Sequence, residues 1–375
     1  MTRVTKPGAP ARERLAALDA FRGMTIAGML LVNNPGTWSA IYPPLEHAPW
    51  HGWTPTDLIF PFFVFIVGVA IPLALGPRLE RDGRAAVALK VVRRSLVIFG
   101  LGIVLNGFPW FVWANLRIPG VLQRIAACYL VAAVVYLVTS TRAQAIIASG
   151  LLLGYWLAMT MVPVPGYGAG NLSPEGNLAA YLDRAVLGQH IWQFAKVYDP
   201  EGILSTVPAV ATALLGVLTG TGLRSGRRSD VIAARLAMAG ILGIAVGEVW
   251  GFWFPINKSL WTSSYVMLTA GLALVVLAVC YWLIEVRERR RWAIPFAPLG
   301  VNALVLFFLS TLVARLLSIV KVGAEGHSLQ VVLFDHVFAP LASPVNASLA
   351  YALVYVVMWW AIIWMLYRCN IRLRV

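Results

Sequence analysis

The sequence predicts an all-α, polytopic transmembrane helix bundle of about ten spans with both termini in the cytoplasm. Three observations carry this reading. Hydrophobic residues make up 59% of the 375 and charged residues only 12%, with a mean hydropathy of +0.76, far more apolar than a soluble core of this length requires. Apolar runs of roughly 20 residues, enough to cross a bilayer core, recur along the chain. Basic residues crowd alternate connecting segments, which is the positive-inside pattern.

The first span is expected at 16–34, built on the run Met24–Val32 and closed by Asn33 and Asn34. The second, 57–76, carries the run Leu58–Leu75, and a basic segment from Arg78 to Arg94 leads into the third, 91–108. The fourth and fifth, 119–139 and 144–162, are separated only by Thr139–Ala143. A Gly/Pro-rich connection over about 164–203 precedes the sixth at 204–222, followed by 234–254 and 261–284. The ninth and tenth are expected at 294–319 and 347–367. Nothing divides the chain further, so 1–375 reads as one transmembrane domain, with 1–14 as a cytoplasmic N-terminal segment. No internal repeat is evident.

The net charge of +14 orients the protein; it does not imply nucleic acid. With the N-terminus inside, cytoplasmic segments hold 22 of the 30 Lys and Arg residues. The opposite side holds five: Arg117, Arg184, Lys196, Lys258 and Lys321. Arg22, Arg124 and Arg315 fall within spans. The run after Arg14 is long and contains Asp19 and Arg22, unlike a cleavable signal. Cys128, Cys280 and Cys369 are scattered, giving neither a disulfide framework nor a thiolate metal site.

Four polar groups stand out. The hairpin Glu46–Asp57 between the first two spans holds His47 and His51, two of the five histidines. A histidine is the natural general base near neutral pH, and a carboxylate such as Asp57 can orient its ring. Pro49, Gly52 and Pro55 preclude a continuous helix and favour a loop folded back so that His47 meets Asp57. An ordinary interfacial loop, with Trp50 and Trp53 in a membrane-surface belt, fits the composition equally well. The residues alone do not choose between the two histidines. Pro49 and the missing Glu of a His-Glu-x-x-His motif argue against zinc, so no metal is expected.

The second group, Tyr198–Thr206, places Asp199 and Glu201 at the mouth of a span, either to bind a sugar or to cap the helix. In the third, Phe254–Ser264, Lys258 beside Asn257 can neutralise an anion or snorkel to the surface, and snorkelling is the commoner use. The fourth puts Arg124, next to Gln123, about one turn inside a span, where it meets a phosphate or forms an ion pair with Asp19, Asp57 or Glu248. Arg22 and Asp19, one turn apart, read as a structural pair.

Together the strings LDAFRGMTIAGMLLVNNPG, LEHAPWHGWTPTDLIFPFFVFIVGVAI, RIPGVLQRIAACYLV, YDPEGILSTVPA, FPINKSLWTSSYV and PLGVNALVLFF resemble the bacterial branch of the heparan-α-glucosaminide N-acetyltransferase family. The likeness runs in order from about Leu15 past the ninth span, beginning at the membrane domain without the extracytoplasmic N-terminal domain of the lysosomal enzyme. It implies a multi-pass acetyltransferase of a bacterial inner membrane, moving acetyl from cytosolic acetyl-CoA to the amine of a glucosamine-type sugar. The family's His-Ala-x-Trp motif falls on His47 and not His51, its asparagine on Asn33 and its aspartate on Asp57. His47 is then base or transient acetyl acceptor, with Asp57 holding its ring and Asn33 donating to the thioester carbonyl. Arg124 with Gln123, and Asn257 with Lys258, become candidates for the CoA side; Tyr198, Asp199, Glu201 and Trp50 become candidates for the sugar. Arg124 together with the basic cytoplasmic loops is expected to meet the CoA phosphates. The lysosomal relative suggests a homodimer. The competing reading is an amino-sugar permease, against which stand the lack of an inverted repeat and a polar cluster at one face instead of the midplane.

Overall fold

The computed structural model describes residues 15–323 and 326–369; the expected N-terminal segment 1–14, and Arg372 and Arg374, lie outside them. The chain is nearly all helical, as it must be wherever lipid leaves backbone polar groups no other partner. Its long helices are α1 (Ala16–Asn33), α2 (Ile59–Asp82), α3 (Arg84–Gly107), α4 (Val121–Val138) and α5 (Thr141–Met161). After the short α6 (Leu178–Leu187) come α7 (Thr206–Leu223), α8 (Ser229–Gly251) and α9 (Ser263–Tyr281). The short α10 (Ala297–Val301) precedes α11 (Ala303–Ile319). A two-stranded hairpin, β1 (Lys321–Val322) and β2 (His327–Ser328), and the short α12 (Leu329–Leu333) lead to α13 (Pro344–Arg368).

Among the described residues, seven helices are long and apolar enough to cross a membrane: those ending at Asp82, Val138, Met161, Leu223, Gly251, Val286 and Arg368. The other three expected spans form helices α1, α3 and α11, of 18, 24 and 17 residues. The ninth differs from expectation. Its apolar run is interrupted at Asn302 (φ −109°, ψ 20°), whose side-chain amide donates to the Pro298 carbonyl at 3.2 Å, splitting it into α10 and α11. The loop at 164–203 also contains α6, capped by the Asn177 carboxamide, which accepts from Ala180 N–H at 2.8 Å.

Helices α2, α7 and α9 form the centre. Small residues let their backbones meet, as in other membrane interfaces. A Cβ at Gly68 of α2 would lie 3.0 Å from Gly216 Cα of α7, and one at Gly243 of α8 would lie 3.0 Å from Gly271 Cα of α9. Phe60, Val64, Ala209, Ala213, Trp261 and Tyr265 share the buried core this creates. The connections α1–α2, α3–α4, α5–α7 and α8–α9 gather at one end, tied by Gly52 N–H to Ile256 C=O (2.8 Å) and Ile118 N–H to His190 C=O (3.0 Å). Basic residues concentrate at the other end, where Arg224 of the α7–α8 connection donates to the Pro72 carbonyl at 3.1 Å.

A candidate active site in the first hairpin

The loop between α1 and α2 is shaped by its prolines. Pro43–Leu45 and Pro55–Leu58 each form a single 3-10 turn, with Pro43 and Pro55 at the start, where a missing N–H costs nothing. The second turn is closed by a capping box. Thr54 N–H donates to Asp57 Oδ2 at 3.0 Å, and Asp57 N–H donates to the Thr54 carbonyl at 2.9 Å. Asp57 is thereby pinned at the mouth of α2 with its side chain 1% exposed.

His47 folds over it. Its Nδ1 lies 2.7 Å from Asp57 Oδ1, while Ala48 N–H donates to Oδ2 at 3.0 Å and the Thr54 hydroxyl approaches the same oxygen at 3.3 Å. The Asp57 main-chain carbonyl accepts from the Tyr265 hydroxyl of α9 at 2.5 Å. A buried carboxylate this fully supplied with donors is an ionised acceptor, so Nδ1 carries a proton, and in the neutral ring Nε2 then holds the lone pair. The His47 side chain is 48% exposed, which leaves that nitrogen open to a substrate. His51 points elsewhere, with its Nδ1 3.4 Å from the Asn257 amide, and burial lowers its pKa.

The α8–α9 turn supplies a cation. Lys258 does not snorkel: its side chain is 22% exposed, with Nζ 3.3 Å from Asp57 Oδ1 and 2.9 and 3.3 Å from the two ring nitrogens of His47. Burial lowers its pKa, opposed by the charges of Asp57 and Glu201. Asn257, fully buried, builds the turn that presents it. Its Oδ1 accepts from Leu260 N–H at 2.8 Å and its own N–H donates to Thr262 Oγ1 at 3.0 Å. Its carboxamide oxygen is thus occupied by structure, while its Nδ2 lies 3.4 Å from His51 Nδ1. Trp261 follows in a left-handed backbone (φ 53°), costly for a bulky residue. Its buried ring holds the turn, stacked 5.0 Å from the Arg124 guanidinium and donating to Thr212 Oγ1 at 3.1 Å.

The carboxylates of the third wall are already paired. Arg117, ahead of α4, donates from Nε and Nη2 to Asp199 at 2.8 and 2.6 Å and also bonds Glu201. Burial opposes its charge, but Glu201 and Asp199 outweigh that and hold its pKa above the ordinary value. Asp199 also accepts from Glu201 N–H at 2.9 Å, closing a turn ahead of α7 and not capping that helix, and is 2% exposed. Both carboxylates are thus engaged by Arg117. Trp50 and Tyr198 are half-buried, edge to face at 5.0 Å, and Trp50 donates to the Leu172 carbonyl at 2.9 Å. That pair ties the hairpin to the segment ahead of α7.

Three expected site residues are not gathered there. Asn33 is exposed at the end of α1, and among the described residues its amide makes no hydrogen bond to His47 or Asp57. Gln123 is buried on α4 against Gly102 and Gly120. Arg124, 2% exposed, donates to Ser205 Oγ at 2.5 Å and to the Gly202 carbonyl at 3.3 Å, with no ion pair to Asp19, Asp57 or Glu248. It lies in the first turn of α4 at the hairpin's end of the bundle, and the 14 residues that follow it in α4 separate it by ~21 Å from the basic loops at the other end. It cannot share a phosphate with them. Sequence reasoning passed over Arg117, Thr54 and Tyr265. Arg117 left one signal, being among the few basic residues on its side. Among the described residues no three His, Cys, Asp or Glu side chains converge as a metal site.

Residues 14–180, which include the hairpin and Arg117, match the family described as heparan-alpha-glucosaminide N-acetyltransferase, catalytic. The human heparan-alpha-glucosaminide N-acetyltransferase is 32% identical over 352 residues, covering 78% of this chain and 52% of the relative. The mouse protein of the same name is 31% identical, covering 78% and 53%. The chain spans about half the length of these curated relatives. By these matches it belongs to the heparan-alpha-glucosaminide N-acetyltransferase family.

Proposed function

We propose that this chain is a membrane acetyltransferase that moves acetyl from acetyl-CoA to the amine of a glucosamine-type sugar at His47. The observation that carries the reading is the His47–Asp57 dyad, closed at 2.7 Å inside the segment matching the family's catalytic part. With Nδ1 held by Asp57, Nε2 is the reactive atom. The sugar nitrogen attacks the acetyl carbonyl carbon and its proton passes to Nε2. The C–S bond breaks with its electron pair going to sulfur, and the proton moves on to give CoA thiol and an amide. In the covalent variant Nε2 attacks the acetyl carbonyl and the C–S bond breaks with its electron pair going to sulfur; the amine then displaces the ring nitrogen, and its proton passes on to the thiolate. Trapped radiolabelled acetyl on His47 during turnover identifies that variant. Trp50, three residues after His47, and Tyr198, whose ring it meets, are the aromatic residues proposed to contact the sugar ring.

On the ten-span reading with both termini cytoplasmic, the hairpin faces away from the cytoplasm and the basic end meets the CoA phosphates. The pantetheine arm then runs through the bundle toward His47. Arg124 takes no part in holding those phosphates. The charge asymmetry of the loops agrees with a bacterial inner membrane. The test is free CoA release by the purified protein supplied with acetyl-CoA and glucosamine, with N-acetylglucosamine identified as product. Sugar uptake into liposomes without acetylation would point to the permease instead.

A further inference from the structure

The ammonium of Lys258 has more donors than the protein uses. It carries three N–H groups. Asp57 Oδ1 takes one at 3.3 Å. The nearer ring nitrogen, His47 Nδ1 at 2.9 Å, commits its own proton to Asp57 at 2.7 Å and has no lone pair to offer. Nε2, at 3.3 Å, is the atom that must stay free for the reaction. Ammonium nitrogen at 2.9 and 3.3 Å from the two ring nitrogens is also not in line with either lone pair. Among the described residues, a largely buried cation thus sits beside the reactive nitrogen with donor capacity unspent.

We propose that Lys258 is a catalytic residue that stabilises the oxyanion formed when the acetyl carbonyl is attacked at His47, an inference that rests on the acetyl-transfer reading above. An acyl carbon placed for reaction at Nε2 puts its carbonyl oxygen within hydrogen-bond reach of a donor 3.3 Å from that same nitrogen. As the C=O π bond opens, the charge gathers on that oxygen and meets a cation already in place. When the C–S bond breaks the oxygen returns to a carbonyl and the charge leaves on sulfur, so Lys258 neither gains nor loses a proton. The role falls to Lys258 and not to Asn33 or Asn257. Asn33 makes no bond to the dyad among the described residues, and the donor end of the Asn257 carboxamide, Nδ2, lies 3.4 Å from His51 Nδ1 instead of against His47. Asp57 keeps the ammonium from withdrawing, and the Asn257-built turn fixes its stem.

The groups facing Lys258 are Asp57 at the head of α2, His47 of the hairpin and Glu201 ahead of α7. Burial lowers its pKa against the pull of the two carboxylates, so the rate should fall on the basic side before an ordinary lysine, near ~10.4, would titrate. Steady-state kinetics of CoA release by wild type, K258M and K258R test this, with methionine keeping the stem's volume. K258M is expected to lower kcat about 100- to 1000-fold with KM for acetyl-CoA within about threefold. K258R, whose guanidinium stays charged, is expected to recover part of kcat and to lose the basic limb of the pH profile. A K258M kcat within threefold of wild type, or a K258R profile with the wild-type basic limb, overturns the assignment while leaving acetyl transfer intact. Absence of wild-type turnover overturns both.

Discussion

Replacing Asp57 by Asn tests the dyad most sharply, because the carboxylate is 1% exposed and every lone pair on it is engaged. Oδ1 faces His47 Nδ1–H and Lys258, while Oδ2 faces the N–H groups of Ala48 and Thr54. An Asn side chain keeps one oxygen and turns the other into a donor, so one of these pairs of donors must confront N–H. Hydrogen bonds to charged groups contribute about 1.5–3 kcal/mol each, and losing two costs about 3–5 kcal/mol of stability. If the new amide faces His47, it donates to Nδ1 and moves the ring proton to Nε2, where the lone pair is needed. A tautomer error of that kind lowers kcat by roughly 10³–10⁴. CoA release and thermal melting of the detergent-purified variant read the two effects separately. Turnover within threefold of wild type at unchanged melting temperature would refute the argument.

Two further perturbations follow from the buried charges. Arg117→Met leaves Asp199 and Glu201 facing each other without a counter-charge, and should cost about 3–5 kcal/mol, read as a lowered melting temperature that Arg117→Lys restores only in part; an unchanged melting temperature would show the pair to be dispensable. Burial pushes the Asp183 carboxyl up to about 6, so the native state holds a proton that the unfolded chain, near ~3.9, releases. That group makes the fold less stable as pH climbs from about 4 through 6, by about 3 kcal/mol at full extent. Asp183→Asn should therefore gain on wild type in thermal melts at pH 7 more than at pH 5, and an equal difference at both would contradict the linkage.

Much of the helical framework was legible because membrane helices advertise themselves by length. The fourth span, expected at 119–139, is Val121–Val138, and the sixth, expected at 204–222, is Thr206–Leu223. The break at Asn302 was not, since the residues on both sides remain apolar and a side-chain bond to Pro298 leaves no periodic trace. Helix α6 was read as loop because Gly and Pro dominate the segment around it, although Asn177 is a recognisable cap. In the site, Pro49, Gly52 and Pro55 announced that His47 could return to Asp57, a local closure ten residues apart. Partners far apart in sequence stayed hidden. Arg117 meets Asp199 across 82 residues and Lys258 meets His47 across 211, and charge type alone does not select such pairs. Hence Asp199 and Glu201 read as sugar ligands or helix caps, Lys258 as a CoA-side cation or a snorkelling side chain, and Arg124 as a phosphate ligand or a structural ion pair. Inside the bundle Arg117 pairs with both carboxylates, Lys258 lies against Asp57 and His47, and Arg124 is buried against Ser205.

The central claim is that the first hairpin is an acetyl-transfer site worked by His47. Its most direct test is formation of N-acetylglucosamine from acetyl-CoA and glucosamine by the purified protein, comparing wild type, His47→Ala and His51→Ala. Wild type should turn over, His51→Ala should stay within a few-fold of it, and His47→Ala should lose at least ~100-fold while remaining folded. Full activity in His47→Ala, or loss only in His51→Ala, would contradict the site.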